Sequence, residues 1–395
     1  MSNKYDLQTL KKAILFNVRE VLPTDPAQLD KELEVLIEQA NLSGEPIRHY
    51  IGFEVSGQIH IGGGFFPMLQ AAKLQQAGVE IILWIADYHT YLNNKLDGKL
   101  ETIKTAARDY FGPTMKECFR AAGGNPETIK ILYNFDDYRQ IKNDQTFWDY
   151  EFQIDKKLTL NRVLRSMSIM GRDSGGEVEY QMTRYPGMQC ADVFWLQAHI
   201  CQGGLDQRKI YVSARDLAYT IDPGYQLKIN NKTVKPITVM CPLLSGLLPP
   251  ETDNQGNKTV AKMSKSKPDS AIWVHDSLSE IQRKIKKAYC PMIDPNLSPE
   301  ENQTIQNMNP ILDWCQNMLY PAGQIIQVTR LDKFGGNVDY TNYDSLYEAY
   351  TSGSLHPMDL KNAVASSLFK ILKPIYDYTV ANPKPLEYLL NIKKL

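Results

Sequence analysis

A short apolar run, a glycine-rich loop, a helical stretch and a second apolar run follow one another between residues 47 and 86. Residues 47–53 form the first run, residues 57–64 form the loop, and a helix is predicted to begin near Pro67. The second run, residues 79–86, has the length and the β-branched content of a buried strand. Strand, loop, helix and strand in this order predict a βαβ unit, which begins a doubly wound parallel sheet.

The rest of the chain continues this alternation. Helices are predicted at 100–122, 146–170, 186–200 and 207–219, and strands at 128–133, 235–240 and 270–275. Ser277 and Glu280 form a capping box that opens a basic helix. The predicted fold class is α/β, a Rossmann-like doubly wound parallel sheet with a C-terminal α-helical domain. The predicted domains are a helical lead-in at 1–45, the sheet domain at 46–235, a linker at 236–290 and the helical domain at 291–395.

Composition sets only broad limits on function. The 395 residues, 43% of them hydrophobic, can bury a sizeable core. The formal net charge of −1 gives no global sign of nucleic-acid binding, so any RNA contact needs local basic patches. The six cysteines contain no C-x-x-C pair, which argues against a zinc ribbon and a disulfide framework. The sequence lacks a long uncharged apolar stretch, and we expect a soluble cytoplasmic protein with no membrane segment and no protein-bound metal.

Residues 52–64 (GFEVSGQIHIGGG), here named the glycine signature, have the character of a phosphate site. Glycines let the backbone approach a ligand, and the N-terminus of the following helix offers N–H groups to an anion. The segment is neither a P-loop, because Gln58 follows Gly57, nor the G-x-G-x-x-G of dinucleotide sites. A structural turn with a satisfied histidine stays open as an alternative for this segment.

Residues 262–266 (KMSKS), here named the lysine signature, begin a polar loop with three lysines and two hydroxyl groups. Lysines on such a loop can close over a polyphosphate and stabilise the charge that develops on a leaving group. The alternative for this segment taken alone is a solvated surface loop.

Together the two signatures resemble those of class I aminoacyl-tRNA synthetases, in the same order and on either side of an α/β domain. Within that class, the chain resembles the tyrosyl-tRNA synthetases of archaeal and eukaryotic type from about residue 45 to 375. The segments that carry the likeness are 50–57 (YIGFEVSG), 185–192 (YPGMQCAD), 203–209 (GGLDQRK), 333–336 (KFGG) and 355–364 (LHPMDLKNAV). The resemblance implies that the sheet domain is catalytic and that the C-terminal helical domain binds the anticodon.

The resemblance also implies the residues of a tyrosine pocket. The phenol hydroxyl would lie between Tyr50 and Asp192, a hydroxyl donor and a carboxylate acceptor that phenylalanine would leave unpaired. Tyr185, Gln189 and Gln207 match residues that hold the amino end of tyrosine. The alternative is that these three are ordinary residues of amphipathic helices.

The implied reaction is attack of the tyrosine carboxylate on the α-phosphate of ATP, followed by transfer of the tyrosyl group to the 3′ end of tRNA. Neither step needs a protein nucleophile, so catalysis is expected to rest on positioning and on charge stabilisation by His60, Lys262, Lys265 and Mg²⁺. Gly62 would lie beneath the adenosine, where a side chain would clash. The implied ATP-binding residues are Gly52, Glu54, Ser56, His60, Gly62, Gly63, Lys262, Met263, Ser264, Lys265 and Ser266.

Two positions depart from the family pattern. Gly63 stands where the second signature histidine is expected, which removes a donor from the phosphate region. Val55 stands where proline is usual, a milder change. We expect activity to survive, with a slower activation step left open.

The RNA contacts implied by the resemblance fall in two regions. Arg165, Arg208 and Lys209 match residues near the acceptor stem. Phe334, His356 and Asp359 match residues that meet the anticodon, the aromatic ring by stacking on a base. A third set could hold backbone phosphates or form a solvated helix face, and it comprises Arg283, Lys284, Lys286 and Lys287.

Three other functions stay open at this stage. A tryptophanyl-tRNA synthetase would share the architecture and both signatures, but an indole has no hydroxyl for Tyr50 and Asp192 to bind. A catalytically weakened tRNA-binding paralogue is favoured only by Gly63. A nucleotidyltransferase of similar fold would leave residues 334–359 without a purpose. The expected partners are L-tyrosine, ATP, the tyrosine tRNA and a second copy of the chain.

Overall fold

The computed structural model describes residues 4–167, 179–252, 258–264 and 266–392. The helices of these residues are α1 Leu7–Ile14, α2 Pro26–Ser43, α3 Phe65–Gln76, α4 Asp87–Leu92, α5 Leu100–Thr105, α6 Gly112–Ala121, α7 Asn134–Asp137, α8 Phe147–Asp155, α9 Leu160–Ser166, α10 Tyr180–Trp195, α11 Arg208–Leu217, α12 Leu278–Lys287, α13 Pro299–Gln306, α14 Pro310–Trp314, α15 Tyr343–Thr351, α16 Pro357–Ala381 and α17 Pro383–Asn391. The strands are β1 Glu20–Leu22, β2 Arg48–Phe53, β3 Glu80–Ile85, β4 Lys130–Tyr133, β5 Ile200–Gly204, β6 Lys228–Ile229, β7 Lys232–Thr233, β8 Ile237–Cys241, β9 Glu251–Thr252, β10 Lys258–Thr259, β11 Ile326–Val328 and β12 Val338–Tyr340.

Six strands form the central sheet in the order β1, β8, β5, β2, β3, β4. All neighbours are parallel except β1, which pairs antiparallel with β8 at the edge. The chain builds outward from β2 to β3 and β4, and then returns to the other side of β2 for β5 and β8. Such a reversal leaves a crevice at the carboxyl ends of β2 and β5, which is where open α/β sheets bind ligands. The predicted doubly wound sheet is confirmed.

The predicted βαβ unit is present as β2, α3 and β3, and its strands run side by side in register from Arg48 opposite Glu80 to Phe53 opposite Ile85. Helix α3 begins two residues before Pro67. Strand β3 is buried except at Glu80, and β2 is buried from His49 to Ile51, because helices cover the two faces of the sheet.

Several details of the predicted elements differ from the structure. The segment 270–275 is not a strand of the sheet, because its backbone pairs with the glycine signature through a single bridge between His60 and Trp273. The helix predicted at 146–170 is two helices, α8 and α9, and its last residues lie outside the described part of the chain. Strands β1 and β5 were not predicted. Strand β1 has three residues, and β5 ends in two glycines, so neither shows the apolar alternation that identifies a strand.

The C-terminal part of the chain is mainly helical and packs on the sheet domain. Helix α16, 25 residues long, lies against α6 and α12. A π-helical turn, Ala106–Phe111, joins α5 to α6 where the sequence predicts one continuous helix. Within the described ranges, no helix is long and apolar enough to cross a membrane.

Candidate active site

A cavity of about 280 Å³ opens at the carboxyl ends of β2, β5 and β8. Helix α10 supplies part of its wall, because Tyr185, Gln189 and Asp192 lie on one face at helical spacing. The predicted site residues that line this cavity are Tyr50, Gly52, Glu54, Gly62, Gly63, Tyr185, Gln189, Asp192 and Gln207. Residues from three separate segments of the chain therefore meet at one place.

The floor of the cavity is a buried polar cluster around Asp192. The side chain is 1% exposed, and the Tyr138 hydroxyl donates to its Oδ1 atom at 2.6 Å. Burial raises the pKa of Asp192 well above its usual range, while Tyr138 and the indole of Trp84 act in the opposite direction. Burial likewise raises the pKa of Tyr50, and Tyr211 and Asp192 add to the effect. Tyr50 is therefore a neutral hydroxyl close to a desolvated carboxyl group.

The rim of the cavity carries amide and carboxylate groups. Gln189 Nε2 donates to Gln207 Oε1 at 2.9 Å, which leaves Gln189 Oε1 buried and unpaired among the described residues. Asn93 Nδ2 donates to Glu54 Oε1 at 2.8 Å. Acceptor oxygens of this kind are suited to an ammonium group. Next to them, the backbone N–H of Ser56 donates to the carbonyl of Glu54 at 3.0 Å.

The two signatures lie against each other beside the cavity. A Cβ atom on Gly62 would stand 3.2 Å from Met263 Sδ and 3.4 Å from His60 Nδ1. The N–H of Gly63 donates to His60 Nδ1 at 3.2 Å, so a neutral His60 ring carries its proton on Nε2. The imidazole can then donate to an anion.

The lysine signature is held by backbone contacts on both sides. Lys262 forms a β-bridge with Ser245, and the Ser264 N–H donates to Ser270 Oγ at 2.9 Å. The hydroxyl groups of Ser264 and Ser266 are 2.8 Å apart. Lys265 lies outside the described residues. Lys262 and the two serines are thus fixed next to the glycine signature.

Four residues around Asp192 were missed by the sequence reasoning, which followed only the family segments. These are Trp84, His89, Asn134 and Tyr138, of which Trp84 and His89 line the cavity. His89 Nε2 lies 3.9 Å from Asp192 Oδ2, and its ring meets that of Tyr185 edge-on at 4.6 Å. A signal was present, because Trp84 lies in β3 and the other three follow the carboxyl ends of β3 and β4, where parallel sheets place their sites.

The predicted acceptor-stem residues lie close together. Lys209 Nζ donates to the backbone carbonyl of Arg165 at 2.7 Å. Arg208 is held by both carboxylate oxygens of Glu20, at 2.8 and 3.0 Å. Arg208 therefore already has a carboxylate partner within the chain.

Of the predicted anticodon residues, Asp359 lies beside an arginine. Arg330 Nε donates to the carbonyl of Gly336 at 3.0 Å, and Arg330 Nη1 lies 3.8 Å from Asp359 Oδ2. Phe334, in the turn just before Gly336, is 62% exposed. His356 caps helix α16 by accepting the Met358 N–H at 3.1 Å. The exposed ring of Phe334 is available for stacking, whereas the His356 ring already caps the N-terminus of helix α16.

The basic set on α12 is not a uniform phosphate-binding face. Lys284 is 2% exposed and forms an ion pair with Asp276 at 2.6 Å, so its placement at an RNA surface is wrong. Arg283 and Lys287 both pair with Asp269, at 2.7 and 3.3 Å. Asp276, the partner of Lys284, also accepts the Trp273 N–H at 2.9 Å, so this buried ion pair lies next to the segment that pairs with His60.

Comparison with known proteins places these observations in a family. The model of the tRNA synthetases class I (W and Y) matches residues 42–373. A tyrosine–tRNA ligase from Thermococcus sibiricus is 37% identical over 379 residues, which are 94% of this chain and 96% of that protein. Tyrosyl-tRNA synthetase from Pyrococcus horikoshii, crystallised with L-tyrosine, is 35% identical with a TM-score of 0.85, over 98% of this chain and 100% of that chain. Tryptophanyl-tRNA synthetase from Aeropyrum pernix is 18% identical with a TM-score of 0.61, over 93% and 86% of the two chains, which is a likeness of fold alone.

Proposed function

This chain belongs to the class I tRNA synthetases of the tryptophan and tyrosine group, and on that premise we propose that it is a tyrosine–tRNA ligase. The enzyme activates L-tyrosine with ATP and transfers the tyrosyl group to the 3′ end of the tyrosine tRNA. The observation that carries the proposal is the presence of Tyr50 and Asp192 in one cavity, at the sheet edge where the two signatures meet.

The polar cluster at the cavity floor selects tyrosine by its hydroxyl group. A phenol oxygen placed between Tyr50 and Asp192 completes the hydrogen bonds of groups that are otherwise desolvated. At the rim, Tyr185, Gln189 and Gln207 hold the amino group, in keeping with the unpaired Gln189 Oε1. An indole offers no hydroxyl to this floor, which disfavours tryptophan.

ATP lies along the glycine signature, with the adenosine over Gly62 and the phosphates near the N-terminus of α3. Around it we place Gly52, Glu54, Ser56, His60, Gly63, Met263, Ser264 and Ser266. The tyrosine carboxylate attacks the α-phosphate, and the bond to pyrophosphate breaks. His60, Lys262 and Lys265 stabilise the charge on the departing pyrophosphate.

Mg²⁺ is proposed to arrive with the phosphates of ATP, since this ion keeps several waters and binds through substrate oxygens. In the ranges that the structure describes, no group of three or more His, Cys, Asp or Glu side chains is placed to hold a metal ion. Bound in this way, the ion would neutralise phosphate charge, while the residues named above orient the reacting atoms.

Recognition of tRNA is assigned to the two regions described above. Arg165, Arg208 and Lys209 would contact the acceptor stem, and the exposed ring of Phe334 would stack on an anticodon base with His356 and Asp359 beside it. This division makes 46–235 the catalytic domain and 291–395 the anticodon-binding domain, with a lead-in at 1–45 and a linker at 236–290. The site of action is the cytoplasm.

We also propose that the enzyme is a homodimer. Helices α8, α9 and the start of α10 form a groove in which Phe152 and Leu160 are each 65% exposed and Tyr180 is 82% exposed. Apolar side chains clustered at the surface in this way mark a protein interface. Sedimentation of the wild type and of Phe152→Glu tests the assignment, with a dimer expected for the first and a monomer for the second.

The function is tested by exchange of labelled pyrophosphate into ATP with tyrosine, with tryptophan and without an amino acid. Tyrosine-dependent exchange is expected, and exchange only with tryptophan would reject the proposal. Tyr50→Phe removes one hydroxyl from the cavity floor and is expected to lower kcat/KM for tyrosine about 5- to 100-fold. The matched control is Tyr150→Phe, a buried tyrosine of α8 outside the cavity. tRNA binding without any exchange would instead indicate a catalytically silent paralogue.

A further inference from the structure

His89 has a buried ring nitrogen in the cavity wall that lacks a hydrogen-bond partner among the described residues. His89, on α4 just after β3, is 2% exposed, and its Nε2 atom makes no hydrogen bond to any described residue. Buried polar atoms are almost always hydrogen-bonded, and each exception calls for a reason. Because the ring of His89 lines the cavity, an atom of a bound ligand can supply the missing partner.

The protonation of the His89 ring is fixed by its neighbour Asn134. The backbone N–H of Tyr88 donates to Asn134 Oδ1 at 2.7 Å, so the amide nitrogen of Asn134 faces His89 Nδ1, 2.8 Å away, and donates to it. Burial lowers the pKa of His89 to about 3, so the ring is neutral and carries one N–H. That proton must lie on Nε2. His89 therefore presents a donor to the cavity.

The floor also presents an acceptor, the carboxyl group of Asp192, whose Oδ1 atom already accepts the Tyr138 hydroxyl at 2.6 Å. The Tyr211 hydroxyl donates to the backbone carbonyl of Gln202 at 2.8 Å and is therefore not directed at the cavity. Asp192 Oδ2 lies 3.9 Å from His89 Nε2, a gap too long for a direct hydrogen bond but short enough for one oxygen atom to contact both.

We propose that His89 is a specificity-determining residue of this pocket, whose Nε2–H donates to the phenol oxygen while the phenol O–H donates to Asp192. Asn134 is a positioning residue, which acts by holding the proton of His89 on Nε2. The inference rests on the proposed function. The pocket then selects a para substituent whose one atom both donates and accepts a hydrogen bond. A hydroxyl group does both, whereas fluorine or hydrogen does not. An amino substituent donates twice and accepts poorly, so the N–H of His89 would oppose it.

The test measures kcat/KM in pyrophosphate exchange for tyrosine, phenylalanine and 4-aminophenylalanine. His89→Leu is expected to lower kcat/KM for tyrosine about tenfold and to leave that for phenylalanine nearly unchanged. Asn134→Asp keeps the size of the side chain and an acceptor for the Tyr88 N–H. Because the new carboxylate can only accept a hydrogen bond, the proton of His89 is expected to move to Nδ1. Nε2 then becomes an acceptor. The preference for tyrosine over 4-aminophenylalanine is expected to fall at least tenfold at pH 8. In other enzymes, a histidine held in the wrong tautomer likewise loses activity.

His199→Leu is the matched control, because His199 is equally buried but uses both ring nitrogens in backbone hydrogen bonds, at 3.0 and 3.1 Å, away from the cavity. It should lower thermal stability and leave both substrate ratios unchanged. If the wild type is active on tyrosine but the kcat/KM ratios of tyrosine to phenylalanine and to 4-aminophenylalanine do not change in His89→Leu and Asn134→Asp, the role of His89 is overturned and the proposed function stands. A wild type without tyrosine-dependent exchange would reject the proposed function instead. If His89→Leu does not fold, Asn134→Asp decides the question.

Discussion

Gly246 sets the distance between the lysine signature and the sheet domain. A Cβ atom at this position would stand 2.7 Å from the carbonyl carbon and oxygen of Lys262 and 3.0 Å from the Met263 nitrogen. Ordinary contact begins at 3.4 Å, so in Gly246→Ala the two backbones must separate by 0.7 Å, the difference between 3.4 and 2.7. The contacting atoms are backbone atoms of Lys262 and Met263, which cannot rotate away as the end of a flexible side chain could. The hydrogen bond from Gly246 N–H to the Ala261 carbonyl, 2.6 Å long, lies in the same contact and would be strained.

Overpacking of this kind costs about 1–3 kcal/mol. A displacement approaching 1 Å at a positioning element can cost about 10²-fold in rate. We therefore expect Gly246→Ala to lower kcat/KM for ATP in pyrophosphate exchange by about 10- to 100-fold, with an unchanged Kd for tyrosine because the cavity floor is not touched. The assay is exchange at varied ATP, paired with calorimetric titration of tyrosine.

Gly224→Ala is the control for Gly246→Ala, because its added Cβ meets only the end of the Gln145 side chain, at 3.2 Å, which can rotate away. It should behave as the wild type. Normal ATP kinetics in a folded Gly246→Ala enzyme would refute the reasoning that the contact at Lys262 places the lysine signature.

Three further predictions concern stability and RNA. Lys284→Met leaves the buried carboxylate of Asp276 without its cation and is expected to cost about 3–5 kcal/mol in urea unfolding, with partial recovery when Asp276→Asn is added. Phe334→Ala should weaken tRNA charging about 5- to 150-fold through lost stacking while pyrophosphate exchange is unaffected, and equal loss of both reactions would contradict it. Burial raises the pKa of Asp87 from 3.8 to about 6, so the folded state holds the proton more tightly, and stability from this group should fall as pH rises from about 4 to 6. Asp87→Asn should flatten that slope and stabilise the protein at pH 7 by up to about 3 kcal/mol, and an unchanged slope would exclude Asp87 as its source.

Sequence alone located the cavity walls because the relevant residues lie in short continuous segments. Tyr50 and Gly62 belong to one such segment, and Tyr185, Gln189 and Asp192 to another. In a doubly wound sheet, segments at the carboxyl ends of neighbouring strands must meet, so the βαβ pattern already implies where the pocket lies. The βαβ pattern carried the fold class, and the family segments supplied nine of the 24 residues that line the cavity as predicted site residues.

The hydrogen-bond network behind the cavity floor could not be predicted in the same way. His89 lies in one segment, and Asn134 and Tyr138 lie in another, and both segments are brought around Asp192 only by the order of the strands. A sequence read without coordinates shows that each follows a strand, but not that Asn134 fixes the proton of His89. The direction of hydrogen bonds depends on which atoms face one another, and no spacing in the chain encodes it.

The segment 270–275 and Lys284 show a second limit. The apolar run suggested a strand, yet its backbone groups bond to the glycine signature, with the Ile61 N–H donating to the Ile272 carbonyl at 2.9 Å. Lys284 looked like an exposed cation because lysine is rarely buried, but Asp276 compensates its charge inside the protein. In both cases a tertiary partner overrode the local pattern.

A crystal structure with L-tyrosine bound tests the assignment of the cavity most directly. The phenol oxygen is expected within about 3.2 Å of an oxygen of Asp192 and of the Tyr50 hydroxyl, with the amino group near Gln189. A tyrosine bound with its ring away from Asp192, or bound outside this cavity, would contradict the assignment.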